Sequence, residues 1–172
     1  MVNDKTASSG DAMLDQLRAE APARYFATLF LPAPLRSQIS VLHMYDLRLL
    51  SVQAAGDEVH PALIKLAWWR DAIAGLGHQA VRGEPLLGAI QDRIPADALQ
   101  DWAALADAHM DRVEHGDADA VVAARERAAA ATLGHGRLLR SMTALRIADR
   151  MKGRSLLRRQ LAMTWHIITG RN

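Results

Sequence analysis

The chain contains no cysteine, and that absence removes disulfides, thiolate-held zinc and cysteine nucleophiles from consideration. Aromatic strand formers are scarce, with two Phe and two Tyr, while Ala, Leu and Arg abound, a balance that favours helix over strand. No stretch alternates apolar and polar residues in the strand period, and no internal repeat is found. No apolar run approaches the roughly 18 residues needed to cross a bilayer. Residues 1–10 have neither the apolar centre of a secretory signal nor the arginine-rich pattern of a transit peptide. They are expected to be disordered, and a cytoplasmic location is the default expectation. A phosphate-cradling glycine loop, a dinucleotide fingerprint and a Ser-His-Asp arrangement are also lacking. Acidic residues are nearly absent from one end: between Arg137 and Asn172 nine basic residues face Asp149 alone, a net +8 against −6 for the rest of the chain.

What is present reads as a succession of helices. A length of 172 residues suits one core, so a single helical domain is expected over residues 11–172. Asp11 is placed to cap a short helix through Glu20. Ala33-Pro34 opens a long helix whose apolar positions Leu35, Ile39, Leu42, Tyr45, Leu49 and Val52 follow the helical period, until Gly56 ends it. Pro61 lies in the first turn of the next helix, which runs to about Leu76 between Gly75 and Gly77. Glu84-Pro85 starts a short helix, and Ile94-Pro95-Ala96-Asp97 another that reaches His115 before Gly116-Asp117. Alanine-rich helix follows from Ala118 to Leu133. Gly134 and Gly136 mark a break, a helix runs on to Lys152, and a basic one spans about 154–168. The fold class is all-α.

Two motifs give this pattern a family likeness. Arg24-Tyr25-Phe26-Ala27-Thr28-Leu29-Phe30-Leu31-Pro32-Ala33-Pro34-Leu35-Arg36 precedes the long helix, and Trp68-Trp69-Arg70-Asp71-Ala72-Ile73 lies on the next. Together they resemble the opening helices of the squalene/phytoene synthase family. More weakly, Ile94–Glu114, Ala118–Leu139 and the tail Leu161–Arg171 are similar to later segments of that family. The resemblance implies a single-domain helical bundle like a shortened isoprenoid synthase fold. It also implies an aspartate-rich motif on the long helix that binds Mg²⁺ and the substrate diphosphate. Counted without a gap from Arg36, those positions fall on Leu50, Ser51 and Ala54, and no acid occurs from Leu49 through Ala55. Mg²⁺ demands hard oxygen ligands, usually carboxylates, to offset charge on the leaving diphosphate. The block that holds the family's second aspartate motif is missing as well. One branch of the family also lacks the aspartates and serves as assembly factors for respiratory complex I. This sequence looks more like that branch, which implies an assembly or scaffolding role without catalytic residues or cofactor.

The candidate residues follow from chemistry and from this likeness. Arg24, Tyr25, Arg36, Arg48 and Arg70 are the residues a remnant prenyl-diphosphate site would use, since the guanidinium fork suits phosphate oxygens; surface snorkelling or pairing with Asp46 and Asp71 is the alternative. Asp107, Asp111 and His115 recur every four residues and stack on one helix face beside Glu114, as metal ligands or as a solvated acidic face. Core packing is expected for both Trp68 and Trp69. Arg154, Arg158, Arg159 and Trp165 mark the last helix as a partner or anionic membrane surface, with Leu157, Leu161, Trp165 and Ile168 on one side, either docked on the bundle or lying at a membrane. Nucleic acid is not expected, because no aromatics interleave with the basic residues. The competing function is a prenyl-diphosphate transferase with relocated Mg²⁺ ligands, drawn from Asp57, Glu58, Asp107 and Asp111 around Arg70. A third reading is a helical subunit whose core a protein partner completes.

Overall fold

The computed structural model describes residues 4–54, 58–76, 78, 83–133, 146–147 and 154–169. Among these every regular element is helical: α1 Asp4–Glu20, α2 Pro22–Thr28, α3 Ala33–Ala54, α4 Val59–Gly75, α5 Pro85–Arg93, a short 3₁₀ turn Ala96–Ala98, α6 Leu99–His115, α7 Ala118–Leu133 and α8 Leu156–Thr169. The all-α class is therefore established. Helix α1 starts at Asp4 rather than at Asp11, inside the stretch expected to be disordered. The helix expected from about residue 137 to Lys152 lies outside the described residues, apart from 146–147. So do the breaks at Gly134 and Gly136.

Local chemistry explains several of the boundaries. Pro22 and Pro85 stand in the first turns of α2 and α5, where a missing N–H costs nothing. The Glu84 carboxylate accepts from Leu86 N at the start of α5, at 3.4 Å. At the end of α6, Gly116 turns left-handed with φ 79°, and its N–H donates to the Arg112 carbonyl at 2.9 Å. A residue without Cβ enters that conformation freely. Asp117 then starts α7: its Oδ1 accepts from the N–H groups of Asp119 and Ala120, both at 3.0 Å. It meets two donors that the helix itself cannot satisfy.

The chain forms two compact units, Met1–Ser40 with Leu133–Asn172 and Val41–Thr132. In the first, α2 packs on α1 and α8, with Leu17, Ala23, Ala27, Leu31 and Met163 buried. The second is built around α4 lying along α6. Ala62, Leu66, Trp69 and Ile73 form the buried stripe of α4, at the 3.6-residue period. Helix α7 buries Val121, Ala124, Arg125, Ala128, Ala129 and Thr132, a stripe made mostly of small side chains with one guanidinium in its middle. Trp68 departs from expectation: Trp69 is buried, whereas Trp68 is 52% exposed and meets Trp69 edge-on. Neighbours on a helix point about 100° apart, so burying one turned the other outward.

Candidate functional site

The interior of the second unit holds an arrangement of charge that its helices bring together from far apart in sequence. Asp46 is the single acidic residue of α3 and is fully buried. Its Oδ1 accepts from His109 Nε2 of α6 at 2.8 Å, and its Oδ2 accepts from Arg125 Nη1 of α7 at 3.2 Å. About two helical turns along α3, the Gln53 amide nitrogen donates to the His109 backbone carbonyl at 3.2 Å and lies 2.8 Å from the ring Nδ1. An NH₂ group held by a carbonyl can only donate to the ring nitrogen beside it. Nδ1 therefore accepts, Nε2 bears the proton given to Asp46, and the imidazole is neutral. One carboxylate and one guanidinium remain, in balance. Burying either alone would be costly, and their pairing through hydrogen bonds is what makes the placement tolerable.

Next to this network lies an aromatic cluster. Tyr45 stacks nearly parallel on Trp102 (centroids 5.7 Å, 15° between planes) and tilts against Trp69 at 5.8 Å. The Trp102 indole N–H donates to Thr132 Oγ1 at 2.9 Å, and that hydroxyl donates to the Ala128 carbonyl at 2.8 Å. The Tyr45 hydroxyl is buried without a hydrogen-bond partner. Burial pushes its ionisation far upward, and the carboxylates of Asp107 and Asp46 add to that rise. Tyr45 is a neutral packing residue at any ordinary pH.

The positions where the family likeness implies metal-binding carboxylates are put to other uses. Leu50 is half-buried, the exposed Ser51 donates its hydroxyl proton to the Arg48 carbonyl at 2.7 Å, and Ala54 closes the helix. Both oxygens of Asp46 are engaged by His109 and Arg125. The residues of α3 thus do not fit a Mg²⁺ ion, which would need free hard oxygens on this helix.

The five residues expected of a remnant diphosphate site divide between the two units. Arg24, Tyr25 and Arg36 belong to the first. Arg24 is buried, and the Arg18 guanidinium lies 5.8 Å from the Tyr25 ring centroid. Arg36 donates from Nε to the Leu31 carbonyl at 3.0 Å and from Nη2 to the Leu29 carbonyl at 3.3 Å. It thereby ties the α2–α3 connection to α3. Tyr25 and Arg36 line a cavity of about 350 Å³ with Leu14, Asp15 and Leu29, where the Asp15 carboxylate opposes an anion. Arg48 is exposed on α3. Arg70 pairs with Asp71 at 2.8 Å and with Asp107 at 3.6 Å, and these contacts hold its guanidinium even more firmly charged than usual.

That pairing separates Asp107 from the expected metal stripe. The ligand atoms of Asp111, Glu114 and His115 instead come within 4.8 Å of one another, all on exposed side chains. Spacing of three and four on one helix face produces such a group without an ion, and no metal is assigned to it. Of the relocated acids, Asp57 lies outside the described residues. Glu58 sits at the N-terminus of α4 without a side-chain capping bond. Arg154, just before α8, and Arg158 on it are exposed, Arg159 is half-buried, and Leu157, Leu161 and Trp165 are 65%, 61% and 64% exposed. Of the apolar side expected to dock or to lie at a membrane, Leu157, Leu161 and Trp165 thus face outward, the Ile168 side chain lies outside the described ones, and Met163 is buried.

Sequence reasoning missed Asp46, His109 and Arg125 as a group. A signal was available: each is a charged or polar residue at a core register position of an otherwise apolar helix stripe, and three such residues must find one another.

An all-α chain with the Arg24–Arg36 segment leading into a long helix, and a Trp-Trp-Arg helix after it, defines a helical protein of isoprenoid synthase type. The chain belongs to the squalene/phytoene synthase family, whose model matches residues 17–108, more than half of the 172. The matched stretch runs from α1 through most of α6. No curated protein and no solved structure matches the chain.

Proposed function

We propose that this chain is a non-catalytic member of its family, an assembly or scaffolding factor that works through its surfaces. The observation that carries this reading is the state of α3. Its one acid, Asp46, is closed within the unit by His109 and Arg125, and Leu49–Ala55 offers no carboxylate. A helix that should grip a metal and a diphosphate is given over to packing and to an internal ion network. The likeness to the family branch that assembles respiratory complex I points the same way, toward a protein partner.

The test is calorimetric titration of the full chain with a non-hydrolysable farnesyl diphosphate analogue, with and without Mg²⁺. No Mg²⁺-dependent heat is expected. Mg²⁺-dependent binding, together with turnover of farnesyl or geranylgeranyl diphosphate that Asp107→Asn abolishes, would overturn the reading in favour of a prenyltransferase with relocated ligands. The pairing of Arg70 with Asp107 is the observation that favours that second reading.

A further inference from the structure

Helix α8 leaves in water what most docked helices hide. Leu157, Leu161 and Trp165 recur every four residues, so they form one continuous stripe, and all three are more than three-fifths exposed. Among the described side chains of α8, Met163, on another side of the helix, is the buried one. Among its described side chains, the helix thus presents its larger apolar face outward. On an ordinary surface helix the arrangement is reversed.

Charge surrounds that stripe. Arg158 follows Leu157 and projects along the Trp165 flank, Arg154 stands just before the first turn, and both are exposed. No acidic residue occurs anywhere in Leu156–Thr169, and the 36 residues from Arg137 onward hold only Asp149 against nine cations. Arginine can lay its methylenes along an apolar boundary while its head stays in the aqueous layer, and tryptophan suits the same boundary, apolar over its ring and polar at its N–H. None of the described helices is long and apolar enough to cross a membrane. A short, strongly amphipathic, purely cationic helix with an exposed Leu-Leu-Trp stripe has the character of one that lies in the headgroup layer.

We infer that the outward face of α8 binds an anionic lipid bilayer, with Leu157, Leu161 and Trp165 entering the acyl boundary and Arg154 and Arg158 meeting lipid phosphates. This deepens the scaffold reading, on which it rests, by naming the surface at which the protein works. An acidic protein would satisfy the cations. The bilayer is favoured because the arginines flank a stripe of two leucines and a tryptophan, apolar side chains with one amphipathic ring that suits the headgroup boundary.

The experiment is co-sedimentation of the full chain with vesicles of phosphatidylcholine alone and with 30–40% phosphatidylglycerol, at roughly 0.05 and 0.5 M salt, where screening differs severalfold. The expected result is binding to the anionic vesicles only, weakened at high salt. Tryptophan fluorescence should shift to the blue, and that shift should vanish in Trp165→Phe. Arg154→Gln with Arg158→Gln should lower the partition coefficient by about tenfold or more, at the usual contribution of each basic residue near an anionic surface. Leu161→Ser should lower it as well. These side chains are exposed, so each variant should keep the wild-type circular dichroism and melting temperature. Absence of sedimentation, equal sedimentation with neutral vesicles, or variants that bind like wild type would each overturn the inference. Vesicle binding combined with Mg²⁺-dependent prenyl transfer would leave this surface standing and remove the non-catalytic reading, so the two fail separately.

Discussion

At the scale of single residues, Asp46 does the most. Removing it as Asp46→Ala leaves the Arg125 guanidinium buried with its carboxylate gone and deprives His109 of an acceptor. Breaking one side of a buried pair costs about 3–5 kcal/mol, to be read as a lower midpoint in urea unfolding. Adding Arg125→Met in that background should recover part of the loss, because the stranded charge is then gone. If the double variant is no better than the single, the network is not what holds these helices. Tyr45 predicts the opposite sign. Its hydroxyl is buried without a partner, so Tyr45→Phe should stabilise the fold by about 1 kcal/mol. It should also alter the alkaline limb. The phenol is held protonated in the folded state and titrates near 10 when unfolded. Stability contributed by the neutral form is thus complete below pH 10 and falls as pH rises above it, by up to about 1.4 kcal/mol per pH unit. In Tyr45→Phe that part of the decline should disappear. Unfolding curves at pH 9, 10 and 11 would show it, and identical limbs in the two proteins would contradict it.

Elements are fixed largely at their ends. The turn between α6 and α7 rests on Gly116 at φ 79° and on Asp117 Oδ1, which takes two N–H donors of α7. Gly116→Ala forces a Cβ into the left-handed region at a cost of about 1–2 kcal/mol. Asp117→Ala loses a capping acceptor worth about 1 kcal/mol. Both should show as lower melting temperatures with unchanged helicity at 20 °C; a neutral outcome for Asp117→Ala would mean that water replaces the cap fully. These boundaries were legible in advance, since Gly116-Asp117 and Pro85 act through their own backbone chemistry. The start of α1 was not. Asp11 has the chemistry of a cap, but helix continues through it to Asp4, because an N-cap preference does not forbid the same residue a place inside a helix.

For the molecule as a whole, the decisive property is how charge is divided between interior and surface. The interior of the second unit joins Asp46 with His109 and Arg125, while acids such as Asp111 and Glu114 stand outside in water. On the proposed non-catalytic reading, no divalent ion supports this fold. Millimolar Mg²⁺, or its removal with chelator, should leave the melting temperature unchanged, with or without a prenyl diphosphate. A ligand that binds the native state must raise it by mass action, so a clear Mg²⁺-dependent increase would reveal a site that the geometry of α3 does not offer.

The sequence by itself determined the helical class, most helix limits, the family, and the loss of carboxylates between Leu49 and Ala55. All of these depend on residue type, period or local spacing, which one-dimensional order preserves. Only the tertiary structure decided that Asp46 meets residues 63 and 79 positions away, that Arg70 takes Asp107 out of the acidic stripe, and that α8 turns Leu157, Leu161 and Trp165 outward. The physical reason is common to the three. A helix pattern states which side chains share a face, but which face is buried, and against what, is settled by the neighbouring helices that compete to cover it.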